Sequence, residues 1–444
     1  MNDPGYYDML PSVANKLLTR MSDPSTKTNY LRSMDLFLNP FHPFQLDPAL
    51  KFPKMESLVF NLGIASPLPA FVFSCKNLRS FLCSTGVSSQ ELTLLLTELN
   101  QLKELRMRIK FEESMIEILK DPVQGRVAET LYFKDANSSL ESLRIEFLPG
   151  DGIPNLVKAC PDLKNLEFDS SDEINNMYFN FSPLRNLSLT SLDLWEMFDD
   201  MSEDDVTEIY STLSSDSPLS KSLERFKVAQ NSNKLLGLEL LDSLTNCRQL
   251  RVLDIHACDE DQDEDEDGEE YDYHCIIYVA SIFTEDNFPN LVELRLPCIE
   301  IDSYYANYIL FDNDVFTLPL LKSLSICACS EQFDKDISRF AGRVLRSSPL
   351  LEKLCLRECV LHDKLFTLLA KDFPETCSAK FVVRGVFIDG EPTPTYLRDY
   401  STYCPERTQH AEAMAARFGL NLKFLISKDD CIHYPFSTPC EFHE

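Results

Sequence analysis

The chain has 444 residues, of which 44% are hydrophobic and only 12 are glycine, and its formal net charge is −29. This hydrophobic content predicts a folded core rather than disorder, while the few glycines argue against phosphate-cradling loops. Such a negative charge argues against nonspecific binding to nucleic acid or to an anionic membrane, and it favours basic or neutral partners.

Whether the 15 cysteines form disulfides depends on the compartment in which the protein works. The first twenty residues, MNDPGYYDMLPSVANKLLTR, lack the continuous apolar segment of a secretory signal. No window approaches the roughly 18 consecutive apolar residues of a membrane-spanning helix. We therefore expect a cytoplasmic or nuclear protein with reduced cysteines and no membrane partner.

Residues 10–38 carry two apolar runs with helical spacing. The break between them is Ser22-Asp23-Pro24, where Pro24 suits the first position of a second helix. The apolar positions of the two runs are Val13, Leu17, Leu18 and Met21, then Tyr30, Leu31, Met34, Phe37 and Leu38. We expect two or three short helices, followed by a proline-rich linker at 39–54.

This segment resembles an F-box. The matching elements, in the order of that family, are Leu10-Pro11, Lys16-Leu17-Leu18, Asp23-Pro24 and Leu31-Arg32. The resemblance implies an F-box-like helical region over 1–45 that docks on a Skp-type adaptor. The adaptor-binding residues that it implies are Leu10, Pro11, Val13, Leu17, Leu18, Pro24 and Leu31.

From residue 55 the chain repeats the frame L-x-x-L-x-L. The copies lie at 55–62, 77–84, 101–108, 139–146, 162–169, 183–190, 222–229, 250–258, 291–299, 321–329 and 351–359. The last two leucines of each copy alternate as in a strand, so they point to one face. Stacked parallel strands, joined by helices such as 89–99 and 335–346, would bury a continuous apolar ladder over residues 46–390.

Three copies also place a cysteine eight residues after the first leucine, at Cys258, Cys329 and Cys359. This pattern resembles the cysteine-containing leucine-rich repeats of F-box substrate receptors. The resemblance implies an α/β leucine-rich-repeat solenoid with parallel strands inside, helices outside and a short all-α F-box-like N-terminus. It also implies a substrate-recognition subunit of a Skp–cullin–F-box type ubiquitin ligase, working as a monomer within that complex and binding a protein substrate.

The side chains between the ladder leucines are expected on the opposite, concave face of the sheet. The candidate partner-binding residues there are Arg106, Arg108, Arg144, Lys227, His256, Arg295 and Arg357. This face is mixed but locally basic, so it would receive an acidic or phosphorylated segment of a partner. Ordinary solvated surface charge is the alternative interpretation.

The tract 259–272, DEDQDEDEDGEEYD, is nearly all acidic. Self-repulsion of its carboxylates predicts a disordered excursion from the repeat array. It supports an alternative function, in which an acidic leucine-rich-repeat scaffold binds basic, nuclear proteins without an adaptor. A GTPase-activating solenoid would need a catalytic arginine or asparagine on a loop, and the sequence nominates none.

The C-terminal part carries a strand pattern at 381–388 and a helical pattern at 408–420, and we expect 391–444 to form a cap or tail. Cys431, His433, Cys440 and His443 could hold zinc tetrahedrally, but their spacing is unusual and no metal site is predicted. Phosphate-loop, serine-hydrolase and zinc-protease motifs do not occur in the sequence. We therefore expect neither enzymatic activity nor a cofactor.

Overall fold

The computed structural model describes most of the repeat array. The described segments are 31–37, 50–61, 68–109, 138–145, 152–168, 180–194, 203–231, 238–258, 282–298, 317–327, 347–357, 360–361, 380–384, 387–388 and 424–427, together with helical positions at 16, 18–20, 22, 344, 367, 409, 412–413 and 416–417. The chain divides into two compact units, Met1–Ser222 and Leu223–Glu444.

The first unit contains a parallel sheet whose described strands pair in chain order. They are β1 Ser33–Phe37, β2 Ser57–Asn61, β3 Ser80–Val87, β4 Glu104–Ile109, β5 Ser142–Ile145, β6 Asn165–Phe168 and β7 Ser191–Leu194. Parallel neighbours need crossover connections, which here include helices. These are α1 Ala70–Ser74, α2 Ser89–Glu98, α3 Gly152–Ala159, the 3₁₀ helix Ser182–Asn186, α4 Glu203–Thr212 and α5 Pro218–Ser222.

The core of this unit is the apolar ladder that the repeat frame predicts. In β5 and β6, Leu143 pairs with Leu166 and Ile145 with Phe168, and all four side chains are fully buried. Burying one such side chain contributes about 1.5–3 kcal/mol. The ladder therefore accumulates stability one repeat at a time, as in other repeat proteins.

A backbone device fixes the register from one repeat to the next. The carbonyl of Glu56 accepts N–H groups from Arg79 at 2.8 Å and Ser80 at 3.0 Å. The carbonyl of Arg79 accepts from the following repeat in the same way, at Lys103 and Glu104. One carbonyl thus accepts hydrogen bonds from the two N–H groups at the start of the next strand, so both of these donors are paired.

The predicted helix at 89–99 is confirmed as α2. Ser88 caps it, since the Ser88 hydroxyl accepts from the Glu91 N–H at 3.3 Å while the Glu91 carboxylate accepts from the Ser88 N–H at 3.0 Å. This reciprocal capping box satisfies two otherwise unpaired donors. The apolar side of the helix, at Leu92, Leu95 and Leu96, is fully buried, so the helix packs on the sheet.

The second unit also contains a parallel sheet. Its strands are β8 Arg225–Asn231, β9 Val252–Cys258, β10 Glu293–Cys298, β11 Ser323–Cys327, β12 Lys353–Arg357, β14 Lys380–Arg384 and β16 Phe424–Ser427, with a separate pair of β13 Val360–Leu361 and β15 Phe387–Ile388, and helix α6 Leu238–Leu244. Leu253, Leu294, Leu324 and Leu354 stand in register on successive strands and are completely buried. The predicted aliphatic ladder is confirmed here.

A bulge interrupts the pairing of β10 with β11 just before Cys298. Leu296 pairs with Ile326, but the next pair is Cys298 with Cys327, so Pro297 is the extra residue. Proline has no N–H to donate to a sheet, and bulges are among the few places where a strand accommodates it.

The predicted second N-terminal helix, over 30–38, is wrong, because Ser33–Phe37 is strand β1. Met34 is buried and pairs with Leu58 of β2. Leu31-x-x-Met34-x-Leu36 is a further copy of the repeat frame, with methionine in place of the second leucine. The helical region therefore does not extend to 45, and the all-α N-terminus is not confirmed; its described helical positions lie between 16 and 22.

The predicted repeat copy at 183–190 is also wrong. Residues 182–186 form a 3₁₀ helix, in which Pro183 occupies the first turn, and the strand of this repeat is β7 at Ser191–Leu194. Two overlapping frames share Leu189, and the later one, Leu189-x-x-Leu192-x-Leu194, enters the sheet. Leu184 and Leu187 remain buried beneath it.

The solenoid boundary at 390 is too early. The strand pattern at 381–388 forms two strands that belong to different sheets, β14 and β15, and β16 adds a further strand parallel to β14, with Val382 opposite Leu425. The sheet thus continues to Ser427, within the predicted cap. The acidic tract 259–272 and the Cys431–His443 cluster lie outside the described residues.

Candidate protein-interaction surface

The side chains that alternate with the buried ladder form what we call the polar face of each sheet. In the first unit, strand register places Arg106 beside Arg144, Arg144 beside Glu167, and Glu167 beside Asp193. Neighbouring parallel strands lie roughly 4.8 Å apart, so these side chains form one continuous row. The row begins with two cations and ends with two carboxylates.

Arg106 and Arg108 are exposed on β4 of this face. They alternate with Leu105 and Met107, both of which are buried. Residues 105–108 therefore alternate between buried and exposed side chains, as expected for a strand with one buried face. Exposed guanidinium groups on a regular strand offer planar donors in a fixed arrangement.

Arg144 is paired rather than available as an isolated cation. Its Nη1 lies 2.5 Å from Oε1 of Glu167, and both side chains are partly exposed, at 29% and 38%. A cross-strand pair of this kind contributes about 0.2–1 kcal/mol. It also cancels much of the positive charge that the sequence assigned to this part of the face.

The second unit carries a similar but much less exposed pair. Lys227 stands beside Asp254 and Asp254 beside Arg295. Nη1 of Arg295 donates to Oδ2 of Asp254 at 3.1 Å, and Nη2 lies 3.6 Å from Glu293. The Asp254 and Arg295 side chains are only 6% and 16% exposed, so the pair is shielded from solvent on a face predicted to be open. Nothing in the alternation of the sequence signalled this burial.

The remaining candidate residues are placed as follows. His256 lies in β9 and Arg357 in β12, where Arg357 pairs with Arg384 of β14. Of the residues nominated for adaptor binding, Leu18 is helical and buried, and Leu31 precedes β1. The other five, Leu10, Pro11, Val13, Leu17 and Pro24, lie outside the described residues.

Three buried thiols share one position, three residues before the first leucine of their repeat. Burial raises the pKa of Cys75 to about 11 and the pKa values of Cys160 and Cys247 to about 12. The thiolate is the reactive form of cysteine, so these thiols are protonated at neutral pH. They act as small apolar core residues, at a core position that lies before the frame L-x-x-L-x-L and is not part of it.

Within the described segments, His, Cys, Asp and Glu side chains do not gather in groups of three or more that could hold a metal ion. The helices of those segments include none with the length and apolar character needed to cross a membrane.

In both units the described strands pair in parallel, and most of them follow a buried leucine of the repeat frame, which is the arrangement of a leucine-rich-repeat fold. The chain matches no protein-family model and no curated protein. Among solved structures it resembles "Crystal structure of TLR13-ssRNA13 complex", with 13% identity and a TM-score of 0.31 over 81% of this chain and 60% of that chain. The chain thus spans about 60% of that protein's length. The fold class rests on the repeat frame and the strand register, because a likeness this low carries no argument.

Proposed function

We propose that this chain is a non-catalytic protein-interaction module that binds a partner protein through the polar face of its sheet. The observation that carries the proposal is the exposure of Arg106 and Arg108 on β4, where they alternate with the buried Leu105 and Met107. A sheet of stacked repeats holds such side chains at a fixed spacing, which suits recognition of an extended acidic or phosphorylated segment.

The finer proposal is that the module is the substrate-recognition subunit of a Skp–cullin–F-box type ubiquitin ligase. In support, helical positions between 16 and 22 coincide with the first part of the F-box resemblance. A subunit of this kind performs no bond chemistry and needs no cofactor. It raises the effective concentration of its substrate beside a ubiquitin-carrying enzyme.

An acidic scaffold that works without an adaptor is the second candidate. Its support is the net charge of −29 and the tract 259–272, since a dense set of carboxylates attracts basic proteins electrostatically. The N-terminal segment would then have no role in assembly, and binding would weaken steeply as ionic strength rises.

A pull-down with the full-length chain and purified Skp-type adaptor separates the two candidates. Deletion of residues 1–29, rather than 1–45, removes the first three matching elements of the F-box resemblance, through Asp23-Pro24, but keeps strand β1 in the sheet. Loss of adaptor capture in this variant, with capture retained after deletion of 259–272, supports the ligase subunit. Failure of the intact chain to capture adaptor, together with loss of basic partners on deleting 259–272, supports the scaffold.

The polar face is tested in a separate pull-down with immobilised poly-glutamate, an acidic peptide, using a charge reversal, R106E, on the face. Its matched control is K158E, which reverses an exposed charge on helix α3. We expect R106E to abolish capture by the acidic peptide and K158E to leave it unchanged. Equal capture by both variants would remove the basis for assigning binding to this face.

A further inference from the structure

A polar groove lies where the first four strands of the first unit begin, away from the polar face discussed above. Its volume is about 260 Å³, and it is lined by Arg32, Lys54, Glu56, Asn77, Arg79 and Gln101. We refer to it as the strand-start groove. Three cations and one carboxylate give its lining a net charge of +2, within a chain whose net charge is −29.

The repeat frame builds this groove from two parallel rows of side chains. Arg32, Glu56 and Arg79 each directly follow the first apolar residue of a frame copy. Lys54, Asn77 and Gln101 each directly precede one. Because neighbouring repeats lie roughly 4.8 Å apart, the rows run side by side along the edge of the sheet and leave a channel between them.

In the row of Arg32, Glu56 and Arg79, the backbone N–H groups of the last two residues are already paired. The N–H groups of Glu56 and Ser57 donate to the carbonyl of Arg32, at 2.7 and 2.9 Å. Those of Arg79 and Ser80 donate in turn to Glu56. Along this row, an incoming ligand is therefore recognised by the guanidinium groups.

The polar contacts within the lining hold those side chains over the groove. Arg32 Nη1 lies 3.4 Å from Oε1 of Glu56, with the Arg32 side chain strongly exposed. The Asn77 amide donates to the carbonyl of Pro53 at 2.6 Å, which fixes the orientation of that amide. Glu56 thus tethers one guanidinium, while Arg79 supplies a second one in the same row.

We propose that the strand-start groove binds a phosphate monoester carried on a peptide segment of a partner. A phosphomonoester carries a charge of about −1.5 to −2 at neutral pH, which matches the net charge of the lining. Guanidinium forks bind phosphate oxygens in a bidentate manner. A single carboxylate gains less in this groove, because Glu56 already provides one to Arg32.

The same row farther along the sheet has a different character. Lys103 and Lys164 flank Glu141 at 2.8 and 2.9 Å. Hydrogen bonds from Lys103 and then from Lys164 lower the pKa of the Glu141 carboxyl to about 2. These two lysines therefore already share a carboxylate, whereas in the strand-start groove two arginines flank Glu56 and a lysine lines the opposite row.

The test uses the full chain and a fluorescein-labelled glycine–serine peptide that carries one phosphoserine, followed by fluorescence anisotropy. We expect saturable binding that R79Q weakens about tenfold or more, as for loss of a charge-assisted hydrogen bond. R251Q is the matched control. Arg251 is exposed at the equivalent frame position of the second unit, and its carbonyl accepts the same pair of N–H groups, from Val292 and Glu293.

The outcomes divide cleanly. Displacement of the labelled peptide by inorganic phosphate, with the R251Q affinity within about twofold of the parent, supports the proposal. Equal weakening by R79Q and R251Q would reveal only general attraction and would overturn it. The proposal is also overturned if the unphosphorylated peptide, or one with glutamate in place of phosphoserine, binds as tightly. Thermal unfolding of R79Q confirms that the variant is folded, and either result leaves the polar-face proposal untouched.

Discussion

Arg144 and Arg295 occupy the same position of the repeat frame, and each pairs with a carboxylate on the neighbouring strand. Their surroundings differ, because the Arg295–Asp254 pair is nearly buried while the Arg144–Glu167 pair is partly exposed. Removing one partner of a buried pair strands an uncompensated charge in a poorly solvated place, whereas water replaces the lost partner at an exposed pair.

We therefore predict that R295A lowers the free energy of unfolding by about 3 kcal/mol. The matched variant R144A is expected to lower it by less than about 1 kcal/mol. Urea unfolding of both variants at pH 7, followed by circular dichroism, measures the difference. Equal losses would mean that solvent reaches Asp254 as freely as Glu167.

The alternation of leucines was sufficient to assign these arginines to the polar face, but not to predict their partners. The Arg295–Asp254 hydrogen bond joins residues 41 positions apart in sequence, so it depends on the register between strands. The period-2 rule also gives the direction of a side chain without saying what covers it. The strand-start groove was missed for a related reason, since its lining residues come from four repeats and form no contiguous motif.

At the scale of the single strand, adjacent leucines test whether the frame identifies the core. Leu320 and Leu321 are consecutive in the sequence LPLLKSL, but Leu321 is the first leucine of the frame. Leu321 is completely buried, and Leu320 is 41% exposed. The backbone turn holds this arrangement, since the Leu321 N–H donates to the carbonyl of Leu318 at 3.1 Å.

We predict that L321A destabilises the protein by about 2–5 kcal/mol, because it leaves a cavity in the ladder. L320A is expected to change stability by no more than about 0.5 kcal/mol. Chemical unfolding of the two alanine variants provides the measurement. A larger effect at Leu320 would show that the frame is shifted by one residue in this repeat.

The frame predicted most strands because it states a burial pattern directly, and it failed where other patterns competed. At 30–38, Met34 replaces the second leucine, and the same apolar spacing is also compatible with a helix. At 183–194, two frames overlap at Leu189, and Pro183 favours a helical turn for the first of them. Neither conflict can be decided locally, because the outcome depends on which segment completes the pairing with its neighbour, here β2 and β6.

At the scale of the whole molecule, β1 links the sheet to the N-terminal segment. The carbonyl of Arg32, the residue before β1, accepts hydrogen bonds from the N–H groups of Glu56 and Ser57 at 2.7 and 2.9 Å. The Met34 side chain of β1 covers part of the ladder. Terminal repeats of a solenoid shield the apolar core and the unpaired edge of the sheet. Residues 33–37 are therefore an integral part of the sheet.

Two truncations test this role of β1. Deletion of 1–29 is expected to lower the thermal unfolding midpoint less than deletion of 1–37 and to leave the elution profile free of aggregates, since strand β1 remains and only contacts such as those of the buried Leu18 are lost. Deletion of 1–37 exposes the edge of β2 and the side chain of Leu58, so we predict a lower midpoint and soluble aggregates in size-exclusion chromatography. If the two truncated proteins behave alike, β1 is dispensable for the sheet. The interpretation of 30–38 as the second N-terminal helix would then be open again, because the sheet would not need this segment as a strand.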